Sequence, residues 1–97
     1  MQIEELPSWT LLWHLYAQSD NSLTAAQIAH RMHIPEDGVV RLMNIMGVYV
    51  AQQTGWFPIP EPDDGWKIFF TRSQNPTGEF VYSIKEHFLT ILANFRK

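Results

Sequence analysis

Residues 23–44, LTAAQIAHRMHIPEDGVVRLMN, leave the chain few ways to fold. They read as two short helices joined by a three-residue turn. Thr24, with Gln27 three residues later, gives the reciprocal T-x-x-Q capping box that starts a helix. Ile28 and Met32 then share a face at i, i+4, with Ala29 beside them. His33, Ile34 and Pro35 make the turn. Pro35 lacks an N–H, stops the first helix and suits the first turn of the next. Glu36 and Asp37 follow, where carboxylates complement a helix dipole. Val39, Leu42, Met43 and Met46 then continue one apolar face.

This spacing resembles the helix-turn-helix of DNA-binding regulators. Ala29 stands where that motif needs a small residue. Ile28, Met32, Ile34, Val39 and Leu42 stand where apolar side chains lock its two helices. One position departs from the pattern: the turn usually carries Gly, and this chain has His33. His enters the left-handed region more readily than most non-Gly residues, so the turn remains accessible. The plain alternative is an ordinary helical hairpin in a small core.

Ninety-seven residues suffice for one domain, residues 1–97, and not for two. Four Trp, six Phe and three Tyr supply generous area for its core. The absence of Cys excludes a disulfide framework, thiol catalysis and Cys-based zinc sites. No apolar run reaches membrane-spanning length, and MQIEELPSW lacks a basic region followed by an apolar core. The expectation is a cytoplasmic protein with no membrane partner. The net charge of −3 runs against a polyanion partner, because a DNA-binding domain usually shows a basic footprint. Arg31, Arg41, Lys67 and Arg72 are the cations available to make one. So thin a set implies weak binding by a single chain, a dimer, or a target other than DNA.

Residues 1–6 read as a short arm, and Pro7 suits a helix start. From Ser8 to about Gln18, Trp9, Leu12, Trp13 and Tyr16 form one stripe; Leu11 and Leu15 form a second. A helix this apolar is buried on two sides or shared with a homodimer or regulator partner; burial is the commoner fate. Residues 19–22 read as a polar loop. Gly47 is expected to weaken or end the second motif helix, and Val48, Tyr49 and Val50 suit either a short strand or a last helical turn. Pro58, Pro60 and Pro62 favour an extended path. Trp56, Phe57 and Ile59 anchor it to the body; the sharper alternative is a peptide or ligand groove between Trp56 and Trp66. Residues 66–72, WKIFFTR, read as a strand, 73–78 as a turn and 79–84 as an alternating strand, with Phe80, Tyr82 and Ile84 on one face. A last helix runs from about Lys85 through Phe88, Ile91, Leu92 and Phe95, with Lys97 at the end.

Helix, helix-turn-helix, hairpin, helix: that order resembles a winged helix-turn-helix domain over nearly the whole chain. The expected class is α+β, with three N-terminal helices, a β-hairpin wing and a C-terminal helix. Within that superfamily the lead-in helix, the IAHRMHIP turn and the long segment before the wing look similar to small activators of the CaiF/GrlA type. The resemblance implies a transcriptional regulator that binds double-stranded DNA or acts on another regulator. The helix starting near Pro35 would be its reading helix, presenting Glu36, Asp37, Val40, Arg41 and Asn44. Arg41 suits guanine or a phosphate, Asn44 adenine, and Val40 a thymine methyl. Gln74, Asn75 and Thr77 would form the wing contacts, and Arg31, Lys67 and Arg72 would position phosphates. The alternative is a winged-helix protein-interaction module that modulates another regulator without touching DNA. The acidic balance and the acids heading the reading helix favour that second reading.

Other chemistry is thin. His30 and His33 at i, i+3 lack a third ligand and read as helix-surface and turn residues rather than a metal site. His14 and His87 lie on polar sides of apolar helices. Asp63 and Asp64 before Gly65 read as turn chemistry. There is no glycine-rich phosphate loop and no nucleophile elbow. Neither an enzyme nor a cofactor is expected.

Overall fold

The capping box at Thr24 organises the first half of the fold. In the computed structural model, which describes residues 9–95, the Gln27 N–H donates to Thr24 Oγ1 at 3.1 Å. The Thr24 N–H donates back to Gln27 Oε1 at 2.9 Å. The readings placed on residues 1–8 and on Lys97 lie outside the described residues. Helix α2, Ala25–Met32, starts from this cap and stops at His33, whose φ of 57° and ψ of 44° are left-handed. The Ile34 N–H closes the end on the Ala29 carbonyl at 3.1 Å. Pro35 is extended, and helix α3, Glu36–Thr54, begins directly after it.

Helix α1, Thr10–Tyr16, is shorter than the predicted 8–18 and lies ahead of this pair. Its Leu11, Leu12 and Leu15 are buried together with Ile28, Ala29, Val39, Met43, Met46 and Val50. Burying each large side chain of this set contributes about 1.5–3 kcal/mol. Trp9, Trp13 and Tyr16 are half-buried and meet edge to face, at 6.1 and 5.5 Å between centroids. Leu12, grouped from sequence with the aromatic residues, joins Leu11 and Leu15 in a buried face, and Trp9, Trp13 and Tyr16 form a half-buried one.

The sheet is antiparallel and has three strands in the order β1, β3, β2. Strand β1 is Ser22–Thr24, β2 is Phe70–Gln74 and β3 is Phe80–Ile84. Leu23 faces Tyr82 across one ladder and Arg72 faces Tyr82 across the other. Tyr82, Ile84 and Phe70 bury the inner face of the hairpin, and Phe69 packs on Phe88 of the last helix, α5, Glu86–Phe95. The class is α+β. Among the described residues, no helix is long and apolar enough to cross a membrane.

The structure corrects the sequence reading at several points. The hairpin gains a third strand from Ser22, read as the end of a polar loop, and from Leu23 and Thr24, read as the lead-in to α2; β1 is too short to show alternation. Gly47 does not end α3, which continues through Val48, Tyr49 and Val50 as helix and stops at Gly55, in a left-handed conformation with φ 68°. Residues 66–72 are not one strand. Trp66–Phe69 form a single helical turn, α4, and β2 begins only at Phe70, opposite Ile84. Pro62–Asp64 before it form a 3-10 turn, where the alternating prolines had suggested an extended path.

One backbone crossing explains two of these departures. A Cβ on Gly47 would overlap the Gly65 carbonyl, and one on Gly65 would overlap the Asn44 carbonyl. The start of α4 therefore lies directly on the backbone of α3. Gly47 serves close approach rather than helix ending, and the crossing holds residues 66–69 helical before the chain enters the sheet.

Candidate functional site

Helix α3 presents a mixed surface. Glu36, Asp37 and Arg41 are exposed, while Val40 and Asn44 are half-buried. Farther along, Ile45 is 48% exposed, and Val48 and Tyr49 are half-buried. All of these but Glu36 line an open groove, which Pro62 and Asp63 of the 3-10 turn close on one side. Its floor is largely apolar, and Asp37, Arg41 and Asp63 are the charged groups in it.

Asn44 is committed elsewhere. Its Oδ1 accepts the Trp66 N–H at 2.9 Å, across 22 residues of sequence. That N–H begins α4 and has no carbonyl available within the helix. The sequence had placed Asn44 beside Arg41 as a reader of bases. In the structure its acceptor oxygen holds α4 to α3, so a bidentate pairing with adenine would have to share that oxygen with the Trp66 N–H.

The predicted cations take different settings. Arg31 is exposed on α2, beside Ala26, Gln27 and His30. Lys67 pairs with Asp64 at 3.2 Å, with 59% and 47% of the side chains exposed. Such a pair is worth about 0–1 kcal/mol and does not hold the ammonium from other partners. Arg72 lies on β2 with its Cζ 4.5 Å from the Trp66 ring centroid and 4.3 Å from the Phe80 centroid. The cations thus come from α2, α3, α4 and the hairpin, and two of them share one ring: Lys67 Nζ lies 5.8 Å and Arg72 Cζ 4.5 Å from the Trp66 centroid.

The hairpin tip satisfies itself. Asn75 Oδ1 accepts from the Thr77 N–H at 3.1 Å, the Thr77 hydroxyl at 2.8 Å and the Glu79 N–H at 2.9 Å. Asn75 Nδ2 donates to Glu79 Oε1 at 3.3 Å, and Gln74 Nε2 donates to the Gly78 carbonyl at 3.2 Å. Gln74, Asn75 and Thr77, read from sequence as contact residues, therefore build the turn. The tip carries the Glu79 carboxylate.

Elsewhere, Asp20 in the loop before β1 is held below the ordinary carboxylate range, chiefly by the Ser22 hydroxyl and then by the Ser22 N–H. Among the described residues, no group of three or more His, Cys, Asp or Glu side chains is placed to hold a metal ion.

Sequence reasoning did not anticipate Ile45, Tyr49 and Asp63 as groove residues, nor Trp66 and Phe80 as partners of Arg72. The i, i+4, i+8 spacing of Asp37, Arg41 and Ile45 was a signal for the first of these. The approach of Asp63 depends on the glycine crossing and had none.

The chain matches no family model, no curated protein and no solved structure.

Proposed function

We propose that the chain is a winged helix-turn-helix transcriptional regulator that binds double-stranded DNA, of the kind its resemblance to the CaiF/GrlA type implies. The observation that carries this reading is the α2–turn–α3 unit. It has a three-residue turn, a left-handed His33 and an α3 whose first turns stand exposed at Glu36, Asp37 and Arg41. The element order α1, β1, α2, α3, β2, β3, with β1 completing the hairpin's sheet, supports it further. In this reading α3 enters the major groove by its N-terminal half and the β2–β3 hairpin is the wing.

The roles narrow accordingly. Arg41 is the base-reading residue, and Val40 lies beside it for a thymine methyl. Arg31, Arg72 and Lys67 position phosphates, Lys67 by exchanging Asp64 for the backbone. Asn44 holds α4, and Gln74, Asn75 and Thr77 shape the wing tip. So few cations per chain imply a homodimer on the operator, since each phosphate contact adds to affinity. The test is selection of bound sequences from a random duplex pool with wild type and Arg41→Ala. Wild type should enrich a motif that Arg41→Ala loses, at about 1–3 kcal/mol of discrimination for that base. Identical enrichment by both would remove Arg41 from the reading.

A second reading has its own observation. The groove along α3 has an apolar floor, and its acids Asp37 and Asp63 repel phosphates. That suits a protein partner, and winged helices serve both purposes. Ile45→Gln, which removes the apolar contact without adding charge beside Arg41, separates the two. It should leave DNA binding by the N-terminal half of α3 intact and abolish docking of a protein along the groove.

A further inference from the structure

Arg72 and Phe80 sit on the same side of the hairpin. Arg72 faces Tyr82 in the ladder, and Phe80 lies two residues from Tyr82 on the same strand, so their side chains emerge together. Phe80 is 44% exposed, near the tip of the hairpin. From the other element, Trp66 reaches the same guanidinium. Trp66 is itself fixed twice: its N–H is bound by Asn44, and its ring meets buried Tyr82 edge to face, at 6.1 Å and 85°. Two rings from different elements thus hold one guanidinium, with both centroids within 4.5 Å of Cζ.

Stacking occupies the face of a guanidinium and leaves its in-plane N–H donors at the edge. Among the described residues, Arg72 makes no side-chain hydrogen bond and no ion pair. Its planar fork matches a phosphate bidentately, and a fork already fixed by stacking loses less freedom on binding than a free Lys or Arg.

We infer that Trp66 and Phe80 are positioning residues that hold Arg72 as a bidentate clamp for one backbone phosphate, and that Asn44, by fixing Trp66, ties this clamp to α3. The inference rests on the DNA-binding reading above and deepens it.

The test uses the full chain with a mixed-sequence duplex, measuring affinity against salt for wild type, Arg72→Ala, Arg72→Lys and Phe80→Leu. The Arg72 Nε–H resonance is followed by NMR in the free proteins. Phe80→Leu keeps apolar bulk and removes the ring; Arg72→Lys keeps charge and removes the fork. Arg72→Ala should lower the salt slope by about 1. Phe80→Leu and Arg72→Lys should keep the slope but bind about two- to fivefold more weakly. The Arg72 Nε–H should be ring-shifted upfield in wild type and return to its ordinary position in Phe80→Leu. An unshifted wild-type resonance overturns the positioning claim whatever the DNA result. Full affinity in Phe80→Leu and Arg72→Lys, with a loss in Arg72→Ala, overturns positioning and keeps the phosphate contact. Full affinity in Arg72→Ala overturns the clamp while DNA binding stands. No binding by wild type overturns the clamp together with the reading beneath it.

Discussion

At the turn between α2 and α3, one backbone conformation sets the angle at which the second helix leaves the first. His33 adopts it at φ 57°, where a Cβ crowds the following carbonyl. His33→Gly should keep or raise stability, because Gly adopts that region freely and the His side chain is exposed. His33→Val should lower stability by about 1–2 kcal/mol, read as a shift of the urea midpoint. This was legible in the sequence: the position after Met32 needed a left-handed residue, and His is one of the few substitutes for Gly. Asn44 was not legible, because its partner is the backbone of Trp66, 22 residues on. Asn44→Ala should cost about 1–3 kcal/mol, since it leaves a half-buried N–H without its acceptor. A urea midpoint unchanged in that variant would mean the bond does not hold α4. Gly47→Ala tests the same crossing more severely. Its methyl would overlap the Gly65 carbonyl, and about 3 kcal/mol or more should be lost as α4 is pushed away from α3.

Elements that close on themselves were readable, and those that depend on a distant neighbour were not. Helix α2 declares its own start through Thr24 and Gln27, and both bonds of the box form. Thr24→Ala should destabilise the fold by about 1 kcal/mol, measured by thermal or urea unfolding. An unaffected variant would place the start of α2 under tertiary control instead. Strand β3 showed its alternation, and Tyr82 and Ile84 are buried as that pattern required, whereas Phe80 on the same face is exposed near the tip. Trp66, Ile68, Phe69 and Phe70 look like strand residues by type, yet the first three are helical. The Gly65–Asn44 contact fixes the chain's direction just before them, and local propensity yields to it. Strand β1 has three residues and exists through pairing with β3 alone. The candidate site divides in the same way. The exposed positions Arg31 and Arg41 follow from helix periods, whereas Arg72 shares the face of buried Phe70 and Tyr82 and its exposure does not follow from alternation. The internal bonds of the hairpin tip and the stacking of Arg72 follow from tertiary placement.

Over the whole molecule the balance of charge is the constraint on function. The net charge is −3, and Asp37, Asp63 and Glu79 stand on the α3 groove and the hairpin tip. Arg31, Arg41 and Arg72 are the arginines that α2, α3 and the hairpin expose. Each phosphate neutralised contributes about −0.9 to the slope of log affinity against log salt, so the three phosphate-positioning cations, Arg31, Lys67 and Arg72, predict about −2.7 per chain and about twice that for a dimer. The most direct measurement is therefore a salt titration of the purified protein against a mixed-sequence duplex, with its mass in solution recorded alongside. The account predicts binding at low salt that falls about fortyfold between 50 and 200 mM for a single chain at that slope. No binding even at the lowest salt would contradict it, and would leave α3 and the hairpin as a surface for a protein partner.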